Sequence, residues 1–152
     1  MPTVSRTFTV EAPPRQVLAY LKDFSHAEAW DPGTQTCTRI DAGPVAVGSR
    51  WHNTSKIFGV STELEYTLKE ATDDRVVFEG VNDSATSVDT IVVTAAESGS
   101  QISYRADLTM HGLGVLASPA MKLVFEKLAG DTEDQMTEVL NALGADSGGS
   151  RT

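Results

Sequence analysis

The chain has 152 residues, 40% of them hydrophobic and 22% charged, with a formal net charge of -9 and an isoelectric point near 4.7. That length supports one domain with a sizeable core, and the composition excludes global disorder and a fibrous repeat. An acidic balance without any cluster of Lys and Arg argues against a surface that tracks nucleic-acid phosphates or an anionic membrane. Cys37 is the sole cysteine, so neither an internal disulfide nor a thiolate metal cluster is available, which suits a reducing compartment. Met1 to Val10 alternates polar and apolar residues instead of giving a basic stretch and an apolar run. No window approaches the roughly 18 consecutive apolar residues of a spanning helix. The expectation is a cytoplasmic protein that does not insert into a membrane.

In chain order, Val4, Arg6, Phe8 and Val10 alternate with Ser5, Thr7, Thr9 and Glu11, the period of a strand with one buried face. Pro13-Pro14 suits the first turn of a helix, and Val17, Leu18 and Leu21 give it an apolar stripe through Arg15 to Asp23. Ser25 is placed to cap a second short helix through Ala29, before Trp30-Asp31-Pro32-Gly33 turns the chain. From Gln35 onward the period is two, with strands predicted at Thr36 to Ile40, Ser49 to Phe58, Thr62 to Ala71, Arg75 to Val81, Ser87 to Glu97 and Gln101 to Met110. Gly43-Pro44, Phe58-Gly59, Thr72-Asp73-Asp74, Asn82-Asp83-Ser84 and Ser98-Gly99-Ser100 are turn clusters of the kind that join antiparallel neighbours, so a meander is predicted. Leu64, Tyr66 and Leu68 against Glu63, Glu65 and Lys69 mark one dry and one wet face. Ile102, Tyr104, Ala106 and Leu108 against Ser103, Arg105 and Asp107 do the same.

The dry face needs a cover, and the last third of the chain supplies one. Ser118-Pro119 opens a helix whose Met121, Val124, Phe125, Leu128, Met136, Val139, Leu140 and Leu143 share one stripe. From Pro119 to Leu143 it spans about 37 Å. Gly144 is its expected stop, which leaves residues 1–144 as one ligand-binding domain and 145–152, small and polar, as a disordered tail. Gly130 interrupts the helix at a cost of about 1 kcal/mol relative to alanine. Three readings are open there: a kink or close packing against a strand, room left for a ligand, or a break with Asp131 and Thr132 restarting the helix.

The order of strand, two short helices, meander and long terminal helix resembles the helix-grip fold of the START-like superfamily, also called SRPBCC. It is most similar to the bacterial branch labelled polyketide cyclase/dehydrase and lipid transport. The resemblance is carried by Ala12 through Leu21 in the first helix, Asp23-Phe24-Ser25 leading to Trp30-Asp31-Pro32-Gly33, Val47-Gly48-Ser49 opening the third strand, and Tyr104 in the last strand. It covers Thr3 to about Leu143. It implies an α+β fold, with a curved antiparallel sheet of about seven strands wrapped around the terminal helix. A hydrophobic cavity between them follows. None of these residues is a catalytic motif, and relatives include binders, carriers, cyclases and lyases.

Trp30, Trp51, Tyr66, Phe78, Tyr104, Met121 and Phe125 are the candidate pocket lining, since aromatic and thioether groups offer large, adaptable contact area. Leu108 on the dry face of the last strand joins them. Asn53, on the face of Trp51 if the pairing is regular, adds a donor and an acceptor. The same apolar residues equally suit plain core packing. His26, His52 and His111 are too scattered to bind a metal, although His52 or His111 is a general base if it lies buried beside a carboxylate. Asp89 and Glu79 are expected to face outward into solvent; an inward one would have a raised pKa and handle protons. Gly112-Leu113-Gly114 is no phosphate loop and suits a flexible entrance, with Gly59 another gate.

These residues point to binding of a hydrophobic small molecule, such as a lipid, a polyketide or another polycyclic or aromatic compound. The protein would be a monomer or homodimer, with no cofactor and no nucleic acid. A polyketide cyclase or dehydratase using the same pocket, with Tyr104, His52 or an inward Asp89 moving protons, is the alternative. A protein-interaction module is the third reading.

Overall fold

The alternation in the first strand is realised as β1 (Thr3–Val10): Ser5, Thr7 and Thr9 are exposed, while Val10 is buried and Val4, Arg6 and Phe8 half-buried. The computed structural model describes residues 3–57, 60–110 and 119–149. The meander that follows consists of β2 (Thr34–Arg39), β3 (Arg50–Ile57), β4 (Val60–Ala71), β5 (Arg75–Val81), β6 (Ala85–Ala95) and β7 (Ser100–Met110). All neighbours pair antiparallel, and the sheet of seven strands runs β1-β7-β6-β5-β4-β3-β2. Strand β1 is therefore the one long-range partner, set beside β7 with Thr3 opposite Asp107 and Val10 opposite Ser100.

Two irregularities bend this ladder. Strand β2 begins two residues earlier than its alternation predicts, because a bulge between Thr34 and Thr36 drops Gln35 from the pairing with β3. A second bulge between Leu68 and Glu70 displaces Lys69, beyond which the pairing of β4 with β5 resumes. At the β6–β7 hairpin Gly99 has φ 94°, and a Cβ there would collide with the Val10 carbonyl oxygen and the Glu11 backbone. Only glycine fits both constraints.

Pro14 opens α1 (Pro14–Lys22) as anticipated, with Val17, Leu18 and Leu21 buried and the helix packed on β5 and β6. A 3₁₀ turn (Phe24–His26) and α2 (Ala27–Trp30) follow. Their cap is Asp23, not Ser25: Asp23 Oδ1 accepts from the Ser25 N–H at 3.0 Å and from its hydroxyl at 2.6 Å. A carboxylate is the better acceptor for two donors at once, so Ser25 serves as donor.

Helix α3 (Pro119–Gly149) packs along β1 and against α2 and α1. Among its described side chains Ala129, Met136 and Leu140 are the buried apolar ones, with Leu143 against the core. Polar ties fix its position. Arg6 donates to the Glu126 carbonyl oxygen and carboxylate, both at 3.1 Å. Asn141 Oδ1 accepts from the Glu11 N–H at 2.8 Å, and Gln135 Nε2 donates to the Ala29 carbonyl at 3.2 Å. The helix runs past the stop expected at Gly144 to Gly149; glycine is a weak helix former but loses no backbone hydrogen bond, unlike proline, so it does not enforce an end. No helix among the described residues is long and apolar enough to cross a membrane.

The helix is unbroken at Gly130. A Cβ built there meets no atom within 4 Å, so close packing against a strand does not explain the glycine. Gly130→Ala is therefore expected to stabilise the fold by about 1 kcal/mol, read as a raised denaturation midpoint in urea. A lowered midpoint would show that the helix needs glycine's conformational freedom.

Candidate functional site

Directly opposed residues of an antiparallel sheet share a face, so the register lays out the inner surface row by row. One row runs Trp51, Tyr66, Gly80, Ser87 and Leu108 across β3 to β7. The next holds Leu68, Phe78, Asp89 and Ala106, and the one after it Val76, Ile91 and Tyr104. Five of the aromatic residues picked from the sequence, Trp30, Trp51, Tyr66, Phe78 and Tyr104, are buried together around a sixth, Phe24. The Phe24 ring lies 4.4 Å from Tyr66, 4.5 Å from Phe78, 5.9 Å from Trp30 and 6.1 Å from Trp51, between centroids. Trp30 in turn stands edge-on to Tyr104 at 6.2 Å.

The two tryptophans differ at their nitrogens. Trp51 Nε1 donates to Asp23 Oδ1 at 3.3 Å, and its ring lies under the Arg39 guanidinium at 5.6 Å. Trp30 is 1% exposed, and its Nε1–H has no partner among the described residues. A buried N–H left unpaired costs about 1–3 kcal/mol, so such a donor calls for an explanation.

Asp89 overturns the outward expectation: it is buried, 6% exposed, on the inner face between Phe78 and Ala106. Its phase is hidden in the sequence because β6 carries apolar residues at both parities, Val88 and Val92 as well as Ile91 and Val93. Burial, reinforced by the Asp31 charge, pushes its carboxyl up to about 8 despite the Ser87 hydroxyl donating to Oδ1 at 3.5 Å. Asp89 is thus a neutral acid at pH 7. Tyr66 and Tyr104 are raised well above their ordinary range, by burial first and then by the Asp89 charge. Gly80 makes this arrangement possible. A Cβ there would lie 2.6 Å from Tyr66 Cε1 and Cζ, so the ring crosses its neighbouring strand over bare backbone and its hydroxyl reaches Ser87. Asp31, at the end of α2, accepts from the Gly33 N–H at 3.3 Å and the Thr34 hydroxyl at 2.7 Å, and burial raises its carboxyl as well. Phe24, Asp31 and Ser87 are not among the candidate site residues of the sequence, although Phe24 and Asp31 help carry the resemblance, because they sit in a turn, a loop and an ambiguous strand.

Asn53 shares the Trp51 face, as regular pairing requires. Its amide is occupied by scaffolding: Nδ2 donates to Thr34 at 3.0 Å, and Oδ1 accepts from Ser55 at 2.7 Å. Leu108 is half-buried in the Ser87 row. Glu79 is on the outer face, 3.9 Å from Lys69. His52 is also outside, paired with Glu63 at 2.7 Å. His26 stacks on Tyr20 at 4.0 Å, with Nδ1 2.7 Å from the Tyr20 carbonyl oxygen. The buried Cys37 thiol is pushed up to about 12, chiefly by burial, and stays protonated. The side chains of Met121 and Phe125, together with His111, Gly112-Leu113-Gly114 and Gly59, lie outside the described residues. Among the described residues no group of three or more His, Cys, Asp or Glu could hold a metal ion.

A carboxyl with a raised folded-state pKa holds its proton more tightly when folded, so the stability it permits at low pH is lost as pH climbs from about 4 toward 8. The slope approaches about 1.4 kcal/mol per pH unit. Asp89→Asn, uncharged throughout, is expected to match the parent near the acid end and exceed it at pH 8; denaturation midpoints that run parallel across that range would refute the assignment. Gly80→Ala should cost about 1–3 kcal/mol, since the Tyr66 ring is locked against Phe24 and has nowhere to go. Its midpoint of thermal unfolding reads that loss.

No curated protein matches the chain significantly. Solved structures do, at identities that speak to fold alone. A protein from Thermus thermophilus is 12% identical with a TM-score of 0.74, covering 96% of this chain and 99% of the other. A START superfamily protein from Mycobacterium smegmatis is 16% identical with a TM-score of 0.69, covering 92% and 94%. The di-domain ARO/CYC StfQ from the steffimycin biosynthetic pathway is 12% identical with a TM-score of 0.72; the match covers 97% of this chain and 51% of that one. The family model for polyketide cyclase / dehydrase and lipid transport matches residues 1–145. With the helix-grip arrangement and its polar-centred aromatic interior, the chain belongs to the polyketide cyclase / dehydrase and lipid transport family.

Proposed function

We propose that this protein binds a hydrophobic small molecule, a lipid, polyketide or other polycyclic or aromatic compound, between the inner face of the sheet and α3. One observation carries the reading: among the described residues the buried Trp30 Nε1–H has no acceptor, inside an aromatic shell. A core built only for stability gains nothing from an orphan donor, whereas a ligand oxygen would satisfy it. The Tyr66 and Tyr104 hydroxyls and the neutral Asp89 carboxyl supply further polar points on an otherwise apolar wall. The lone buried thiol suits a cytoplasmic protein.

Purified protein, extracted for co-purifying compounds and titrated with lipids and aromatic polyketides while its tryptophan fluorescence is followed, is expected to show saturable binding with one ligand per chain. Trp30→Phe keeps the ring and removes the donor, and should weaken that binding by about tenfold. No saturable ligand and an empty extract would end the binding reading; unchanged affinity in Trp30→Phe would remove the orphan donor from it.

Asp89 favours a second reading, an enzyme of the cyclase or dehydratase type. A buried carboxyl poised near 8 can give a proton to a ligand oxygen and take one back, and the adjacent tyrosines can hold the oxygen while it does. Asp89→Asn separates the two readings, since turnover of a bound polyketide would vanish while binding persisted.

A further inference from the structure

Strands β5 and β6 are apolar on both faces, which a sheet with one wet side does not require. Strand β4 shows the ordinary alternation through Glu63-Leu64-Glu65-Tyr66. In β5 and β6, by contrast, Val76-Val77-Phe78 and Ile91-Val92-Val93 are apolar at both parities, the pattern of strands covered on both sides. Val76, Phe78, Ile91 and Val93 are the buried members. Val77 and Val92, with Val88 and Val81, emerge on the outer face, Val81 at 44% exposure and the others half-buried. Val77 lies opposite Thr90, between Val88 and Val92, and Val88 lies opposite Glu79, between Val77 and Val81. The four valines therefore form one zigzag at the centre of the seven-stranded sheet.

Charge surrounds this zigzag in equal measure. Among the described residues the outer face carries the ion pairs Arg50–Glu65, Lys69–Glu79, Arg75–Glu70 and Arg105–Asp107. Lys56 and the Glu63 that faces His52 bring the face to five charges of each sign. The outer face is thus neutral, and the net charge of -9 lies wholly on the rest of the chain. Two copies of so acidic a chain repel on approach, except through a surface that carries no net charge. A strongly basic or acidic partner finds no field on this face to steer by. Exposed ion pairs contribute little by themselves, so these remain available to a second surface.

We propose that two copies of this chain associate face to face through the outer surfaces of their sheets, about a two-fold axis that runs along the strands between β5 and β6. About that axis β6 lies over the second copy's β5, and β7 over its β4. The register sets Glu70, Val77, Thr90 and Arg105 in one row from β4 to β7. Each row meets itself reversed, so Arg105 of either copy comes opposite Glu70 of the other. The valines close on one another at the centre, and the charged side chains form a polar rim. The aromatic interior lies on the opposite face of each sheet and stays free for a ligand.

Sedimentation equilibrium of the full chain tests this directly. The mass is expected to rise with concentration from the 16.2 kDa of one chain toward twice that value. Val77→Lys sets like charges beside the axis and should weaken the association about tenfold or more, while its thermal midpoint at dilution stays near that of the parent. Arg105→Glu and Glu70→Arg should each weaken it several-fold. An equal mixture of those two variants should recover the parent's mass, because every contact in the mixed dimer again joins opposite charges; this arm leaves the valines intact and decides the matter if Val77→Lys does not fold. A parent that keeps the mass of one chain up to roughly 1 mM overturns the proposal. Pelleting of such a monomer with lipid vesicles would give the face another occupant and overturn it as well. A dimer indifferent to Val77→Lys, or a mixture that recovers nothing, would also overturn it.

Discussion

The interior hangs on one carboxylate that never enters it. Asp23 Oδ1 collects the Ser25 N–H, the Ser25 hydroxyl and the Trp51 Nε1–H. Burial alone would raise its pKa, but these hydrogen bonds and the nearby His26 hold it below the ordinary carboxylate range. Through that one oxygen the end of α1 is fixed to β3. The 3₁₀ turn that follows then has a single geometry, in which Phe24 drops into the middle of the shell and α2 carries Trp30 to its far side. Charge-assisted bonds to a half-buried carboxylate are among the stronger ties a short loop can make. Here they tie the turn between two short helices, of nine and four residues, to the sheet.

Two further aspartates show how location alone separates roles for one side chain. Asp23 is ionised and structural because donors converge on it. Asp89, with only a long contact from Ser87, is starved of donors and keeps its proton. Asp31 stands between them, supported by a turn N–H and a threonine while burial pulls it upward. A site of this kind presents neutral hydrogen-bonding groups in a setting that water does not screen, where each is worth more than on the surface. Such an environment suits both proposed readings, binding and proton transfer, which is why both rest on the same few residues.

Much of the fold was legible because it rests on periods that side chains report directly. The alternation Glu63-Leu64-Glu65-Tyr66 places its face without ambiguity, and Pro14, Gly99 and the turn clusters punctuate the strands where the backbone demands it. The site was legible only in its bulk. Aromatic size marked Trp30, Trp51, Tyr66, Phe78 and Tyr104, but Phe24 lies in a turn with no period to read. Asp89 sits in a strand whose two faces are equally apolar in sequence, and the face that becomes interior is chosen by pairing with Phe78 and Ala106. Gly80 carries no side chain at all, so its part, passing the Tyr66 ring over the sheet, emerges only when the strands are side by side. Asn53 shares the Trp51 face, yet its partners are Thr34, across the pairing of β2 with β3, and Ser55, two residues along its own strand, polar contacts that hydropathy does not weigh.

The lone thiol has a practical consequence. Cys37 is 2% exposed, its pKa is pushed up to about 12, and its own backbone N–H is held by Glu28 at 2.7 Å. Thiolate, not thiol, reacts with maleimides and disulfide reagents, so at neutral pH the folded protein is chemically silent toward them. Any cysteine introduced on the surface becomes the single attachment point for a spin label or a fluorophore, without the native residue being removed. The chain is its own blank for measuring, between probes placed on α3 and on the sheet, how far the two part when something enters.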